Sequence, residues 1–261
     1  MPIETHWEPL SASCRVLVSG EHRFTTDTIL LAHFATPKKN DRCADLGCGC
    51  GTIPLIWRCR YQPGEVFGVE ISETAAQQAE ISVKENGFSE SVHILRGDLR
   101  QIRTLLPEPV FDLVSCNPPY KAEGAGLTGE SGEKNRARFE ETCTLADAAK
   151  AAKDILRYGG RFCICQRPER LTDALCALRE YGLEPKRLRL VQQRRDKAPS
   201  LFLLEGRRGG RPGLQILPTL LIEDDNGGFS PEMEAIYGDY REGRILKRTE
   251  GKTDAGEKER S

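Results

Sequence analysis

The residues best suited to chemistry are Asn117-Pro118-Pro119-Tyr120. They follow Phe111 to Cys116, an apolar run that reads as a buried strand. Two prolines exclude helix and central strand directly afterwards. A residue before proline is pushed to extended geometry. Asn117 is thereby held at the carboxyl end of a strand, where open α/β sheets bind their ligands. A fixed amide there offers a carbonyl oxygen to an exocyclic amine, and Tyr120 can stack on a flat ring. The same four residues also suit a plain tight turn after a strand, and the choice between the two rests on what lies upstream.

Upstream, Arg42 to Leu46 begins a strand that runs into Asp45-Leu46-Gly47-Cys48-Gly49-Cys50-Gly51, then a helix from about Thr52 to Arg58. Glycines at alternate positions open backbone conformations closed to other residues and let a ligand approach. The helix N-terminus adds partial positive charge. The spacing G-x-G-x-G departs from the G-x-G-x-x-G dinucleotide fingerprint and lacks the lysine of a phosphate-binding P-loop, which argues against NAD and ATP. A second strand, Glu65 to Ile71, carries Glu70 at its end, nineteen residues past Gly51. A carboxylate at that distance meets ribose hydroxyls, its rival being a solvated strand end. The helix Ser72 to Asn86 has apolar positions Ala75, Ala76, Ala79, Ile81 and Val83 and ends at Gly87. A third strand, Val92 to Leu95, closes on Gly97-Asp98, where Asp98 either accepts from an adenine amino group or caps the next helix.

The elements around these motifs alternate. Residues 14 to 24 read as a hairpin turning at Ser19-Gly20. Thr25-Thr26-Asp27 caps an apolar helix over Thr28 to Ala35. Residues 121 to 141 lack periodicity and read as a mobile loop. Then come a helix (Cys143 to Tyr158, stopped by Gly159-Gly160), a strand (Arg161 to Gln166), a helix (Pro168 to Tyr181) and strands over Pro185 to Gln192 and Ser200 to Glu205. The expected fold is a Rossmann-like, doubly wound α/β sheet, mostly parallel, with an antiparallel hairpin at the C-terminal strand. Residues 1–40 are expected to form a hairpin and helix on a core of residues 41–240. Leu214 to Ile222 should pack on it, Phe229 to Tyr240 should form a short helix, and 241–261 should be a disordered tail.

With 261 residues, 30% charged and 38% apolar, the chain suits a soluble α/β protein. A formal net charge of -1 means that any basic surface must be local. No apolar run approaches a membrane span, and Met1 to Leu10 lacks a signal-peptide core. A cytoplasmic protein with ten free thiols is expected. Cys43, Cys48, Cys50 and Cys59 cluster without C-x-x-C spacing, two of them inside the glycine loop, so no metal site is expected. Cys163 and Cys165 alternate on a strand as small core residues. Lys186 to Arg211 holds nine basic residues and two acidic ones. That stretch is either a nucleic-acid surface or a solvated face.

The order Asp45-x-Gly47-x-Gly49-x-Gly51, Glu70, Asp98, Asn117-Pro118-Pro119-Tyr120, each at a strand end, resembles the class I S-adenosylmethionine-dependent methyltransferases, in the amino-methylating branch. Arg23-Phe24-Thr25-Thr26-Asp27-Thr28-Ile29-Leu30-Leu31 resembles the bacterial tRNA(Val) adenine-N6 methyltransferases. Arg167-Pro168-Glu169-Arg170-Leu171, Glu184-Pro185-Lys186-Arg187-Leu188 and Glu205-Gly206-Arg207-Arg208-Gly209-Gly210 resemble the Gram-positive type of that family. The resemblance covers roughly residues 15 to 240. Phe139 departs from it, standing where a histidine is expected.

What the resemblance implies is N6-methylation of adenosine 37, beside the anticodon of tRNA(Val), with S-adenosyl-L-methionine as cofactor. Asp45, Gly47, Gly49 and Gly51 would form the cofactor loop, Glu70 would bind the ribose and Asp98 the adenine edge. Thr25 and Asp27 would lie near the methionine end. Asn117, Pro118, Pro119 and Tyr120 would handle the target amine, with Asn117 also beside the cofactor. The RNA would meet Arg136, Arg138, Lys186, Arg187, Arg194, Arg195, Lys197, Arg207 and Arg208. An anticodon loop suits such a pocket because its bases are already partly unstacked. Rival substrates for the same motif are the glutamine amide of release factors and a guanine amine of rRNA. The first usually comes with a longer helical N-terminal domain, whereas only about 40 residues precede the first sheet strand here. A non-catalytic RNA-binding module is a rival of another class, disfavoured by intact motifs. Oligomeric state is open.

Overall fold

Hydrophobic periodicity becomes a sheet with helices on both faces. The computed structural model describes residues 4–118, 143–238 and 240. In chain order the strands and helices are β1 (Thr5–Pro9), β2 (Arg15–Ser19), α1 (Thr26–Ala35), β3 (Arg42–Leu46), α2 (Thr52–Ile56), β4 (Glu65–Glu70), α3 (Glu73–Glu85) and β5 (Val92–Arg96). They continue as α4 (Ile102–Leu105), β6 (Phe111–Cys116), α5 (Leu145–Ile155), β7 (Leu156–Gln166), α6 (Leu171–Glu180), β8 (Leu183–Gln192), β9 (Pro199–Arg208), β10 (Gln215–Ile216) and β11 (Leu220–Leu221). A last helix, α7, spans residues 231–238.

The strand order is β5-β4-β3-β6-β7-β9-β8, with β10 and β11 both paired along the outer edge of β8. All neighbours from β5 to β7 are parallel, while β9 runs antiparallel between β7 and β8. This is the doubly wound α/β sheet with its antiparallel C-terminal hairpin. From β3 the chain winds one way to β4 and β5, then returns to place β6 and β7 on the other side. The switch point lies between β3 and β6, where open sheets bind ligands. There Leu46 pairs with Cys116 and Asp45 with Ser115.

Two apolar layers cover the sheet. One holds α1, α2 and the buried faces of β2 and β11, with Leu30, Leu31, Ile53 and Trp57 at its centre. The other holds α4, α5 and α6, with Ile102, Ile155, Phe162 and Phe202. α1 is clamped at its C-terminal end. Arg161 donates to the Ala35 and Thr36 carbonyls, and Arg187 to the Phe34 carbonyl. Both guanidinium groups also reach Glu205, at 3.3 and 2.8 Å. Two cations thus satisfy the orphan carbonyls of one helix end and share one buried carboxylate.

Several elements differ from the sequence expectation. The hairpin is not within residues 14 to 24. β2 pairs backwards with β1, from Thr5↔Ser19 to Pro9↔Arg15. Thr5 to Pro9 carries no apolar alternation to announce it, and Ser19-Gly20 instead turns the chain into α1. The α2 helix widens into a π-helical turn, Trp57–Tyr61, whose Trp57 is fully buried and donates Nε1–H to Ala32 O at 3.0 Å. Ile81, expected on the apolar face, is 46% exposed.

Gly159-Gly160 does not stop a helix. The helix ends at Ile155 and β7 already pairs at Leu156, with a register shift against β6. Gly159 takes φ +80, and a Cβ on Gly160 would lie 2.9 Å from the Phe111 carbonyl oxygen, so only glycines fit this bulge. In the C-terminal stretch Leu220 is buried but Leu214 and Ile216 are exposed. The expected loop at 121–141 and tail at 241–261 lie outside the described residues. Among the described residues, no helix is long and apolar enough to cross a membrane.

Candidate active site at the carboxyl edge of the sheet

Parallel register brings four strand ends into one row. β4 pairs with β3 up to Val69↔Leu46 and with β5 up to Glu70↔Arg96. Reading along the edge, Asp98, Glu70, the loop after Leu46 and Asn117 stand side by side.

The glycine loop needs its glycines. Gly47, Gly49 and Gly51 have φ of +73, +56 and +86. The Gly47 and Cys48 amides donate to Val69 O, and the Gly49 amide donates to Glu70 Oε2 at 2.8 Å. The other Glu70 oxygen accepts from the Ser72 amide at 2.7 Å. Glu70 therefore braces the loop and still has acceptor capacity on both oxygens. Nothing lies within 4 Å of where a Cβ would stand on Gly47 or Gly49. The loop thus has open space over it, as a nucleoside-bearing cofactor requires. Below the loop, a Cβ on Gly68 would come 2.7 Å from Cys48 Sγ. Gly68 is a requirement of the loop that the motif pattern did not reveal.

Asp45 does not reach the open edge. It is 2% exposed and accepts from Ser115 Oγ at 2.5 Å, pinning β3 to β6 beneath the loop. Burial pushes its carboxyl up to about 7, opposed by the Ser115 hydrogen bond and aided by the Glu70 charge. Asp98 caps the 3-10 turn Leu99–Gln101, accepting from the Arg100 amide at 2.9 Å. The Arg100 guanidinium grips the same carboxylate at 2.9 and 2.6 Å and holds its pKa below the ordinary value. The capping alternative is thus realised, on a carboxylate 20% exposed at the same edge.

Asn117 is held from two sides. Its Nδ2 donates to Thr28 Oγ1 at 3.3 Å, and its Oδ1 accepts from the Cys165 thiol at 3.1 Å. Register explains the second contact: Cys116 pairs with Ile164, so the next residues, Asn117 just past β6 and Cys165 on β7, are neighbours. Thr28 comes from the first turn of α1, where its hydroxyl also accepts from the Thr25 amide at 3.5 Å. α1 therefore runs with its N-terminus, including Thr25 and Asp27, at the Asn117 edge and its clamped C-terminus at the opposite edge. Neither Thr28 nor Cys165 could be assigned by spacing, since the contacts span 89 and 48 residues. Pro118 is buried, while Pro119 and Tyr120 lie outside the described residues, as do Arg136, Arg138 and Phe139.

The basic stretch divides. Arg194, Arg195 and Lys197 sit in the turn between β8 and β9, at the Asn117 edge, with side chains 49, 78 and 54% exposed. Lys186, Arg207 and Arg208 lie at the far edge. There Lys186 Nζ donates to Arg211 O and Arg208 donates to Leu156 O. Arg187 is not on that surface with the others. Its guanidinium lies 4.7 Å from the Phe34 ring centroid and is engaged by Glu205. Cys163 and Cys165 are both fully buried in the same apolar layer.

Comparison with known proteins agrees with this geometry. A family model described as methyltransferase small domain matches residues 20–134. A Porphyromonas gingivalis protein named tRNA1(Val) (adenine(37)-N6)-methyltransferase is 30% identical over 218 residues, covering 80% of this chain and 85% of its own. A relative of the same name from Photobacterium profundum is 26% identical over 83% of this chain and 90% of its own. In fold, the chain is similar to the crystal structure of a predicted O-methyltransferase from Agrobacterium tumefaciens. The TM-score is 0.66 at 23% identity, over 82% of this chain and 97% of that one. The sheet order, the strand-end motifs and these relatives together lead to one conclusion: the chain belongs to the tRNA1(Val) (adenine(37)-N6)-methyltransferase family and is an S-adenosylmethionine-dependent enzyme.

Proposed function

We propose that this tRNA methyltransferase places one methyl group on N6 of adenosine 37 in the anticodon loop of tRNA(Val). The observation that carries the reading is the position of Asn117, one residue past the Leu46↔Cys116 pair and therefore beside the glycine loop.

Gly47, Gly49 and Gly51 would hold the cofactor through backbone approach and Glu70 through the ribose hydroxyls, while Asp98, already capping its turn and held by Arg100, would meet the adenine amino group only with the acceptor capacity those bonds leave. Thr25 and Asp27, at the N-terminus of α1 on the same edge, would lie near the cofactor's methionine end. Bound S-adenosylmethionine supplies a methyl group on a cationic sulfur, which is already activated toward a nucleophile. What the chain must do is orient the exocyclic nitrogen, whose lone pair is delocalised into the ring. That nitrogen carries two N–H groups. Asn117 Oδ1 would accept one of them, and the Pro118 carbonyl the other. Both bonds strengthen as the nitrogen gains positive charge, so the stabilisation falls on the transition state. The Thr28 and Cys165 contacts keep the carbonyl face of the amide toward the target. Tyr120 stacks on the base, and the proton leaves to water after transfer. Arg194, Arg195 and Lys197 supply phosphate contacts at the same edge.

The test is methyl transfer from labelled S-adenosylmethionine to total tRNA from cells lacking this protein, followed by nucleoside analysis. N6-methyladenosine at position 37 of tRNA(Val) is the expected product. Label in a release factor or in ribosomal RNA, and none in tRNA, would replace the substrate.

A further inference from the structure

A second concave surface opens beside the N-terminal turn of α1, at the Asn117 edge. It is a cleft of about 640 Å³ walled by Pro9, Phe24, Ile29, Phe229, Tyr237 and Tyr240, over Thr25 and Thr26 of the first turn of α1. The rings form a connected wall: Phe229 and Tyr237 have centroids 5.3 Å apart, and Tyr237 and Tyr240 5.4 Å. The wall is anchored from behind. Buried His33 bonds the Tyr61 hydroxyl through Nδ1 at 2.8 Å and the Tyr240 hydroxyl through Nε2 at 3.2 Å. Arg60 donates to Ala235 O, and Arg189 pairs with Glu232 through two bonds of 2.5 and 2.6 Å, fixing α7 to the body.

The surroundings of the cleft carry both cations and carboxylates. Arg23, next to Phe24, is exposed and has no ion pair or hydrogen bond among the described residues. The β8–β9 turn meets the segment leading into Phe229, with Arg194 at 3.8 Å from Glu223 and Arg195 at 4.0 Å from Asp225. Glu223 in turn bridges to Phe229. Ion pairs this long between exposed groups are weak and give way readily to a phosphate. Aromatic walls with arginines nearby are the chemistry of single-stranded nucleic acid, in which bases stack on rings and phosphates meet arginines.

Resting on the reading of an RNA substrate, we infer that this cleft is a nucleobase subsite. It takes an unstacked base flanking the target nucleotide, with that nucleotide's phosphate on Arg23, Arg194 or Arg195. One turn of α1 separates the two sites: Thr25 and Thr26 line the cleft, and Thr28 bonds Asn117. A base held there fixes how the loop strand enters, so the subsite adds affinity and register without touching the reacting atoms.

The test uses the full chain and anticodon stem-loop RNA carrying 2-aminopurine on either side of the target adenosine in turn. Stacking quenches its fluorescence. Wild type should quench one of the two positions. Tyr237→Ala should abolish that quench and raise KM for the RNA about tenfold, with kcat and KM for S-adenosylmethionine unchanged. Tyr237→Trp should restore both. Methylation that proceeds with no Tyr237-dependent quench overturns the subsite and leaves the substrate reading intact. A Tyr237-dependent quench without methylation keeps the subsite and removes the target adenosine. A drop in melting temperature in Tyr237→Ala with an unaltered quench makes the cleft a seat for the chain's own residues and overturns the inference.

Discussion

Two buried carboxylates stand in one register row of the same sheet, Asp45 on β3 beneath the glycine loop and Glu205 on β9, with Ser115 and Cys163 between them. Glu205 is 4% exposed and holds two guanidinium groups, which in turn cap α1. Asp45 is 2% exposed and has one hydroxyl partner, Ser115. The two carboxylates thus differ in partners and not in level, whereas the cations divide by edge. Arginines at the far edge are used inside the protein, whereas Arg194, Arg195 and Lys197 at the near edge stay exposed with contacts of 3.5 to 4.0 Å. The far edge commits its arginines to the protein's own carbonyls, and the near edge leaves its cations exposed. α1 connects them, so the clamp that stabilises its C-terminus also sets where Thr28 meets Asn117.

The sharpest way to break this contrast is Glu205→Ala. It strands two arginines and unclamps α1, and should cost about 3–5 kcal/mol in denaturant unfolding. An equally stable variant would deny the clamp. On β3, the Asp45 carboxyl has its pKa raised to about 7 from an ordinary value near 3.8. The folded state therefore binds this proton more tightly than the unfolded chain. Its stabilising contribution is complete below about pH 4 and is lost as pH rises through 7. Asp45→Asn should remove that loss, on the order of a few kcal/mol, and flatten melting temperature against pH from 5 to 8. Parallel pH profiles for the two proteins would count against the assignment.

Smaller effects divide function from folding. Neutralising Arg194, Arg195 and Lys197 together should leave the melting point nearly unchanged while KM for tRNA rises. The slope of log affinity on log salt should fall by about 2. An unchanged slope would move the RNA surface elsewhere. Thr28→Val removes the acceptor for Asn117 Nδ2. It should lower kcat by about tenfold with cofactor affinity retained, and Thr28→Ser should recover most of it. Loss of cofactor binding instead would mean that Thr28 serves the cofactor and not the amide.

What was legible in the sequence is what the backbone itself dictates. Alternate glycines and the prolines after β6 bear on φ and ψ locally, and Glu70 follows at a fixed spacing at the end of β4, so the edge row could be read from spacing. β1 could not, because Thr5 to Pro9 has no apolar alternation and is a strand only by pairing with β2. Thr28 and Cys165 were hidden because their contacts to Asn117 depend on helix placement and strand register. Arg187 carries the same charge as Arg194, and only the register of β8 turns it inward to Glu205. A count of basic residues does not see that difference.

The most direct measurement compares wild type with Asn117→Ala for two quantities in one preparation: S-adenosylmethionine affinity by calorimetry, and single-turnover methyl transfer to tRNA. The expected result is cofactor binding within about twofold of wild type and transfer reduced by at least about a thousandfold, since Asn117 acts on the target amine. Near-normal transfer in the variant would contradict the assignment of Asn117 as the acceptor that orients the target nitrogen.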